Sequence, residues 1–199
     1  MIRPLYFHNP NQEGFEAIIK HLHSKNYKFI SIEELYSRLE KNDTKGKLAY
    51  ISFDDGWQGN LKLIPIIEKY NVHITIFIAV NPIMSGNFWW EFVAKKVGYT
   101  QMQNFKNLPH DEFESQLKKI KTEVADLQRS AMTIDELETI TKHPLISIQS
   151  HTINHPILTK LPDDLLDFEL SESQKQLEKI TGKSIFAFSY PNGSISHRE

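Results

Sequence analysis

Three short stretches carry residues that could do chemistry together. Phe53-Asp54-Asp55-Gly56-Trp57-Gln58-Gly59-Asn60 sets two carboxylates side by side at the end of an apolar run. Ser150-His151-Thr152-Ile153-Asn154-His155-Pro156 sets two imidazoles four residues apart, and Ser189-Tyr190-Pro191-Asn192-Gly193 follows a third apolar run. Two histidines at that spacing offer two nitrogen ligands to zinc or a similar divalent ion. Either Asp54 or Asp55 could supply the third, and a two-histidine, one-carboxylate set leaves positions open for water and substrate. The remaining aspartate would then be free to take a proton from water attacking a carbonyl. The cation would also make two adjacent carboxylates tolerable. Taken singly, Asp-Asp-Gly also suits a plain turn, and the histidine pair also suits capping or surface positions. Their joint placement after apolar runs favours a site.

The elements that must position these stretches alternate. Leu5 to His8 is a short strand, and Phe15, Ile18, Ile19 and Leu22 recur at helical spacing over about Glu13 to Lys25. Lys28 to Ile30 is extended, and Ser31 with Glu34 has capping-box spacing for a helix running to about Leu39. Leu48 to Phe53 reads as a buried parallel strand, followed by a helix over about Gln58 to Tyr70 that Pro65 kinks or restarts. Val72 to Val80 is a second buried strand. A long excursion from about 81 to 143 follows, with the aromatic segment Phe88-Trp89-Trp90-Glu91-Phe92, a polar helix of about Asp111 to Leu127 and a capping box at Thr133 and Glu136. Leu145 to Gln149 is a strand, a helix spans about Pro162 to Thr181 with Gly182 as its stop, and Ile185 to Phe188 is the next strand. Strands alternating with helices predict an α/β fold whose site lies at the C-terminal strand ends.

Composition narrows the chemistry. With 199 residues, 40% of them hydrophobic, one domain with one substantial core is expected. A formal charge of −2 gives no basic excess for gripping phosphate backbones, so nucleic acid is not expected as a partner. The absence of cysteine removes disulfides and thiolate metal sites, leaving His, Asp and Glu as metal ligands. No segment has the ~20 apolar residues of a membrane span. No signal-peptide core is visible at the N-terminus, so a cytoplasmic location is expected.

The three stretches resemble the motifs of the polysaccharide deacetylase family, also called the NodB homology domain or carbohydrate esterase family 4. Ser52-Phe53-Asp54-Asp55-Gly56 is similar to its first motif, residues 150–156 to its second, and Tyr190-Pro191-Asn192-Gly193 to a variant of its third. The resemblance runs from about Leu5 to the C-terminus. It implies a distorted (β/α) barrel, here a single domain over 1–199 with an insertion at about 81–143 and without its C-terminal strands. It implies a metal-dependent hydrolase that removes N-acetyl groups from a sugar or polysaccharide. Asp54 would be the general base, while Asp55, His151 and His155 would bind one divalent ion, zinc first, with cobalt, nickel or manganese as alternatives. A backbone N–H near Asn192 would help hold the developing oxyanion. Trp57, Tyr190 and Pro191 are candidate substrate contacts, although Trp57 could equally pack in the core. For Trp89 and Trp90, core or lid packing is the expectation.

Two departures from the family pattern stand out. Where many members carry arginine in the third motif this chain has Ser189, so the tether on the base aspartate is absent or supplied differently. Ser196-His197-Arg198-Glu199 resembles the first turn of a helix, and the family's fourth and fifth motifs, the latter with a proton-donating histidine, would follow it. A catalytically poor homologue that binds metal or carbohydrate, and a deformylase or O-deacetylase using the same site, are the alternatives. An open barrel edge would suit a homodimer.

Overall fold

The computed structural model describes residues 1–197. The first third alternates as predicted: β1 (Ile2–Phe7), α1 (Gln12–Ser24), β2 (Lys28–Ile30), α2 (Ile32–Glu40) and β3 (Leu48–Phe53). Helix α1 begins where the Asn11 side chain accepts the Gly14 N–H at 2.7 Å, and it buries Phe15, Ile19 and Leu22. Helix α2 is capped by Ser31, whose hydroxyl accepts the Glu34 N–H. These side-chain oxygens replace partners that the first turn of a helix lacks. The helix expected over about 58–70 divides into a 3-10 turn at Gln58–Leu63 and α3 (Ile64–Lys69). Pro65 sits at the start of α3, where a missing N–H breaks no helical bond.

Strand β4 (Ile74–Ile78) leads into helices only: α4 (Val80–Ser85), α5 (Trp89–Val97), α6 (Tyr99–Phe105), α7 (His110–Glu123) and α8 (Ile134–Ile140). Helix α8 starts with the predicted reciprocal cap, Thr133 Oγ1 accepting the Glu136 N–H and Glu136 Oε2 accepting the Thr133 N–H. Within this stretch Trp89, Val93, Met102, Phe105, Phe113, Leu117 and Ile120 form a core of their own. Strand β5 (Ile146–Ser150) and helix α9 (Asp163–Thr181) return the chain to the sheet, and Gly182 ends α9 in the left-handed region. None of the described helices is long and apolar enough to cross a membrane.

Among the described residues all pairings between named strands are parallel, and an isolated bridge from Trp57 to Ala131 is antiparallel. β3 is central: β1 runs along its full length, while β2 pairs with Leu48–Tyr50 and β4 with Ile51–Phe53. Two strands therefore share one edge of β3. Every residue of β3 and β4 is buried, as a strand covered on both faces requires. The sheet continues through β5 to a single bridge between Ser150 and Phe188. Ile185–Phe188 is thus not a full strand, because the Gln149 side chain accepts the Phe186 and Ala187 N–H groups that a neighbouring backbone would otherwise take. Among the described residues, β1 and Phe188 stand at opposite ends of the sheet path. Ser196 and His197 are not helical, and the rest of the helix start predicted there, Arg198 and Glu199, lies outside the described residues.

Candidate metal centre

The three stretches meet at one rim because each follows the C-terminal end of a parallel strand or bridge. Asp54 follows β3, and its N–H donates to Phe7 O at the end of β1. Asp55 then turns the chain at φ 77° and Gly56 at φ 92°. A Cβ on Gly56 would lie 2.9 Å from Ile78 Cδ1, so both the dihedral and the space call for glycine. His151 follows β5, with its N–H on Ile78 O. The loop to His155 passes through left-handed Thr152 (φ 70°) and His155 (φ 56°). A threonine with that dihedral is held by its surroundings. Its N–H donates to Ser150 Oγ, its own hydroxyl accepts the His155 N–H, and its carbonyl accepts the Val80 N–H.

Asp55 Oδ1 lies 3.4 Å from His151 Nε2 and 3.3 Å from His155 Nε2. All three side chains are buried, at 2%, 1% and 6% exposure. His151 Nδ1 is 2.8 Å from Ser189 O, a carbonyl, so that nitrogen carries the proton and Nε2 presents a lone pair. Asp55 Oδ1 makes no hydrogen bond, in spite of its two close nitrogens. Three electron-pair donors thus converge in one buried place, a donor set suited to a cation. Two ligands held ~2.05 Å from a zinc ion at the tetrahedral angle lie ~3.3 Å apart, so the set fits such an ion. The second carboxylate oxygen of Asp55 accepts the Trp57 indole N–H at 2.8 Å, which fixes the carboxylate's orientation.

The electrostatics divide the aspartate pair. Burial works against charge on Asp55, yet the two imidazoles outweigh it and hold its carboxyl well below the usual range. Burial pushes Asp54 up, with His151 opposing and the charge of Asp55 adding to the rise. Burial also holds His155 below the ordinary histidine value, which favours the neutral ring a metal requires. His151 moves the other way, because Asp55 beside it overcomes its burial.

Asp54 lines a cavity of about 850 Å³ together with Asp55, His151 and His155. Trp57, Tyr190 and Asn192 also line it, whereas Pro191 is buried behind this wall. Asn192 sits in the left-handed region, at φ 59°. Three contributors go beyond the sequence reading. Ser189 Oγ donates to Asp54 Oδ2 at 3.3 Å, so the tether on that aspartate comes from the position where arginine is usual. Trp90 lines the cavity with its ring 4.7 Å from that of His155 and stacks on Phe88, while Trp89 packs in the helical core and donates its indole N–H to His155 O. Glu169 of α9, 5% exposed, accepts the Ile153 and Asn154 N–H groups and the Asn154 side-chain amide. A signal for it exists: Leu166, Glu169, Ser173 and Leu177 recur on one helical face, and an acid inside such a series needs buried donors.

A parallel α/β sheet with this pocket at its C-terminal rim is the architecture of a class of hydrolases with known relatives. The polysaccharide deacetylase model matches residues 41–198. A Bacillus subtilis protein described as a polysaccharide deacetylase, YxkH, is 24% identical over 92% of this chain, and the chain spans half of that relative's length. Among solved structures, the deacetylase PplD of Streptococcus pyogenes, in complex with acetate, superposes with a TM-score of 0.69 at 19% identity, covering 99% of this chain and 75% of that one. A polysaccharide deacetylase from Bacillus cereus gives 0.67 at 20% identity, covering 99% and 52%. The chain belongs to the polysaccharide deacetylase family.

Proposed function

We propose that this chain is the catalytic part of a metal-dependent hydrolase that removes N-acetyl groups from a saccharide. The observation that carries the reading is Asp55 Oδ1, buried against two imidazole nitrogens without a hydrogen bond to either. Asp55, His151 and His155 would hold the ion, zinc first, with cobalt, nickel or manganese as alternatives. When bound, a divalent ion supplies positive charge that polarises an amide carbonyl and acidifies water. Asp54 is the general base. Its Oδ1 is shielded from solvent, which leaves Oδ2 to take the proton from water as that water attacks the carbonyl carbon. The Asn192 backbone N–H, on a loop that lines the cavity, would donate to the carbonyl oxygen as it gains charge. Collapse breaks the carbon–nitrogen bond and releases acetate, the leaving nitrogen gaining a proton that Asp54, already holding one, can return. Trp57 and Tyr190 offer flat faces to the sugar from the cavity wall.

The test is metal content together with product analysis. Protein loaded with zinc or cobalt should bind one ion per chain, and Asp55→Ala and His151→Ala should each lower that stoichiometry to near zero. Acetate, rather than formate, should be released from N-acetylated oligosaccharides, and Asp54→Asn should keep the metal while losing about 10² or more in rate. Absence of stoichiometric metal in the unmutated protein would sink the proposal.

A further inference from the structure

Helix α6 places Tyr99, Met102, Gln103 and, one residue past its end, Lys106 on the wall of the same cavity. Their spacing is i, i+3, i+4 and i+7, so one helical face looks onto the site. Met102 is buried in the helical core and anchors that face. The other three carry polar groups, and none makes a side-chain hydrogen bond or ion pair with the described residues. Tyr99 is 71% exposed. A helix face that served only packing would not present an aromatic ring, an amide and an ammonium together to a cavity.

Lys106 is the informative member. A lysine at a helix C-terminus often serves the last carbonyls. Here the last carbonyls, of Gln103, Asn104 and Phe105, accept the backbone N–H groups of Lys106, Asn107 and Leu108, and the carbonyls just past the helix, Lys106 O and Leu108 O, accept from Lys160 Nζ at 2.7 and 3.0 Å. Lys106 is therefore not needed by its own helix end. Burial holds its ammonium below the ordinary lysine value, and the charge opposing that fall is the carboxylate of Asp55. In a cavity beside the reacting group, a partly desolvated cation without a partner is suited to an anion brought by the ligand.

Resting on the deacetylase reading above, we propose that the α6 face of Tyr99, Gln103 and Lys106 is a subsite for a sugar unit next to the acetylated one, and that the saccharide carries a carboxylate or phosphate held by Lys106. Tyr99 gives the ring a flat contact, and Gln103 can both donate to and accept from hydroxyl groups.

The probes are tetra-N-acetylchitotetraose, its 6-O-carboxymethyl derivative and its 6-phosphate, titrated calorimetrically into zinc-loaded protein and its Asp54→Asn variant at low and high salt, with acetate release followed in parallel. Unmutated protein should bind one of the anionic forms about tenfold more tightly than the neutral one. The tighter of the two anions identifies the group. Lys106→Gln should bring the anionic-to-neutral ratio near one and Lys106→Glu should push it below one, while melting temperatures show that both variants fold. Tyr99→Ala should weaken all three ligands. A ratio near one in the unmutated protein, a preference that survives Lys106→Glu, or no binding of any probe would each overturn the subsite. Failure to release acetate from any probe would count against the deacetylase reading instead, since the calorimetric ratio is also read in the Asp54→Asn background, where turnover contributes little.

Discussion

Asp54 and Asp55 share a peptide bond and have opposite surroundings. Asp55 faces two imidazoles and an indole N–H, whereas Asp54 is largely desolvated, feels His151 and His8 only at a distance and accepts from one weak donor, the hydroxyl of Ser189. That separation would suit the proposed division, one carboxylate ionised as a ligand and the other exchanging a proton. The serine's contribution is testable by itself. At 3.3 Å its bond lies at the weak end for a charged acceptor, worth about 1.5 kcal/mol. Ser189→Ala should therefore lower kcat by roughly tenfold while leaving metal stoichiometry at one per chain, measured on the same preparation. An unchanged kcat would mean that the tether does not orient the base. The candidate ligands were legible as motifs because each motif is local: three residues separate the histidines, and the acids are adjacent, although spacing alone left Asp54 and Asp55 as equal candidates. The Ser189 contact was not, since it joins residues 135 apart and depends on the bridge that lays Phe188 beside Ser150. Trp90, expected in core or lid packing, packs partly against both hydrophobic clusters and also lines the cavity. Trp89 and Trp90 have the same composition signal, and only the start of α5 decides which ring enters the core and which lines the cavity.

At the level of elements, the histidine loop hangs between β5 and α9, and α9 holds it through one buried acid. Glu169 accepts two backbone N–H groups and an amide from the Ile153–Asn154 turn, while Asn154 also accepts from the Asn81 side chain. Burial still outweighs these donors and pushes the Glu169 carboxyl above the ordinary 4.5. A carboxyl that binds its proton more tightly folded than unfolded favours the fold fully below the unfolded pKa, and that contribution is lost as pH rises through the folded value. Glu169→Gln does not titrate there and serves as the reference. The melting temperature of the unmutated metal-free protein, relative to Glu169→Gln, should thus fall as pH rises from about 4 through the shifted value. A rise over that window would mean the three donors prevail. The element boundaries show what periodicity can and cannot supply. The caps of α2 and α8 were legible because Ser31 and Thr133 satisfy N–H groups three residues on. The Ile185–Phe188 segment looked like a strand by composition, and it forms a single bridge because a glutamine side chain on β5 takes its N–H groups.

Among the four hydrophobic clusters of the described residues, the two largest have different duties. The larger packs α1, α3 and α9 around the sheet and fixes the strand ends that carry Asp55, His151 and His155. The smaller, within α5 to α7, supports the cavity wall that carries Trp90, Tyr99 and Lys106. Their connections at the site run mainly through the tryptophans: the Trp89 indole on His155 O, the Trp90 ring against His155, Phe88 and Trp57, and, at the end of α6, Lys160. Damage confined to the smaller core should therefore reach substrate before it reaches metal. Leu117 of α7 is 5% exposed, far in sequence from every proposed ligand, and packed in that core with Phe113 and Ile120. Leu117→Ala should cost about 2–5 kcal/mol of local stability, enough to loosen the wall without opening the sheet. Amide exchange should then quicken over α5 to α7 and remain slow in β3, β4 and β5. Metal stoichiometry should stay at one per chain while KM for an N-acetylated oligosaccharide rises several-fold. Loss of metal in Leu117→Ala, in parallel with the faster exchange, would show instead that the two cores fold as one unit and that the helical stretch holds the ligands as well as the substrate.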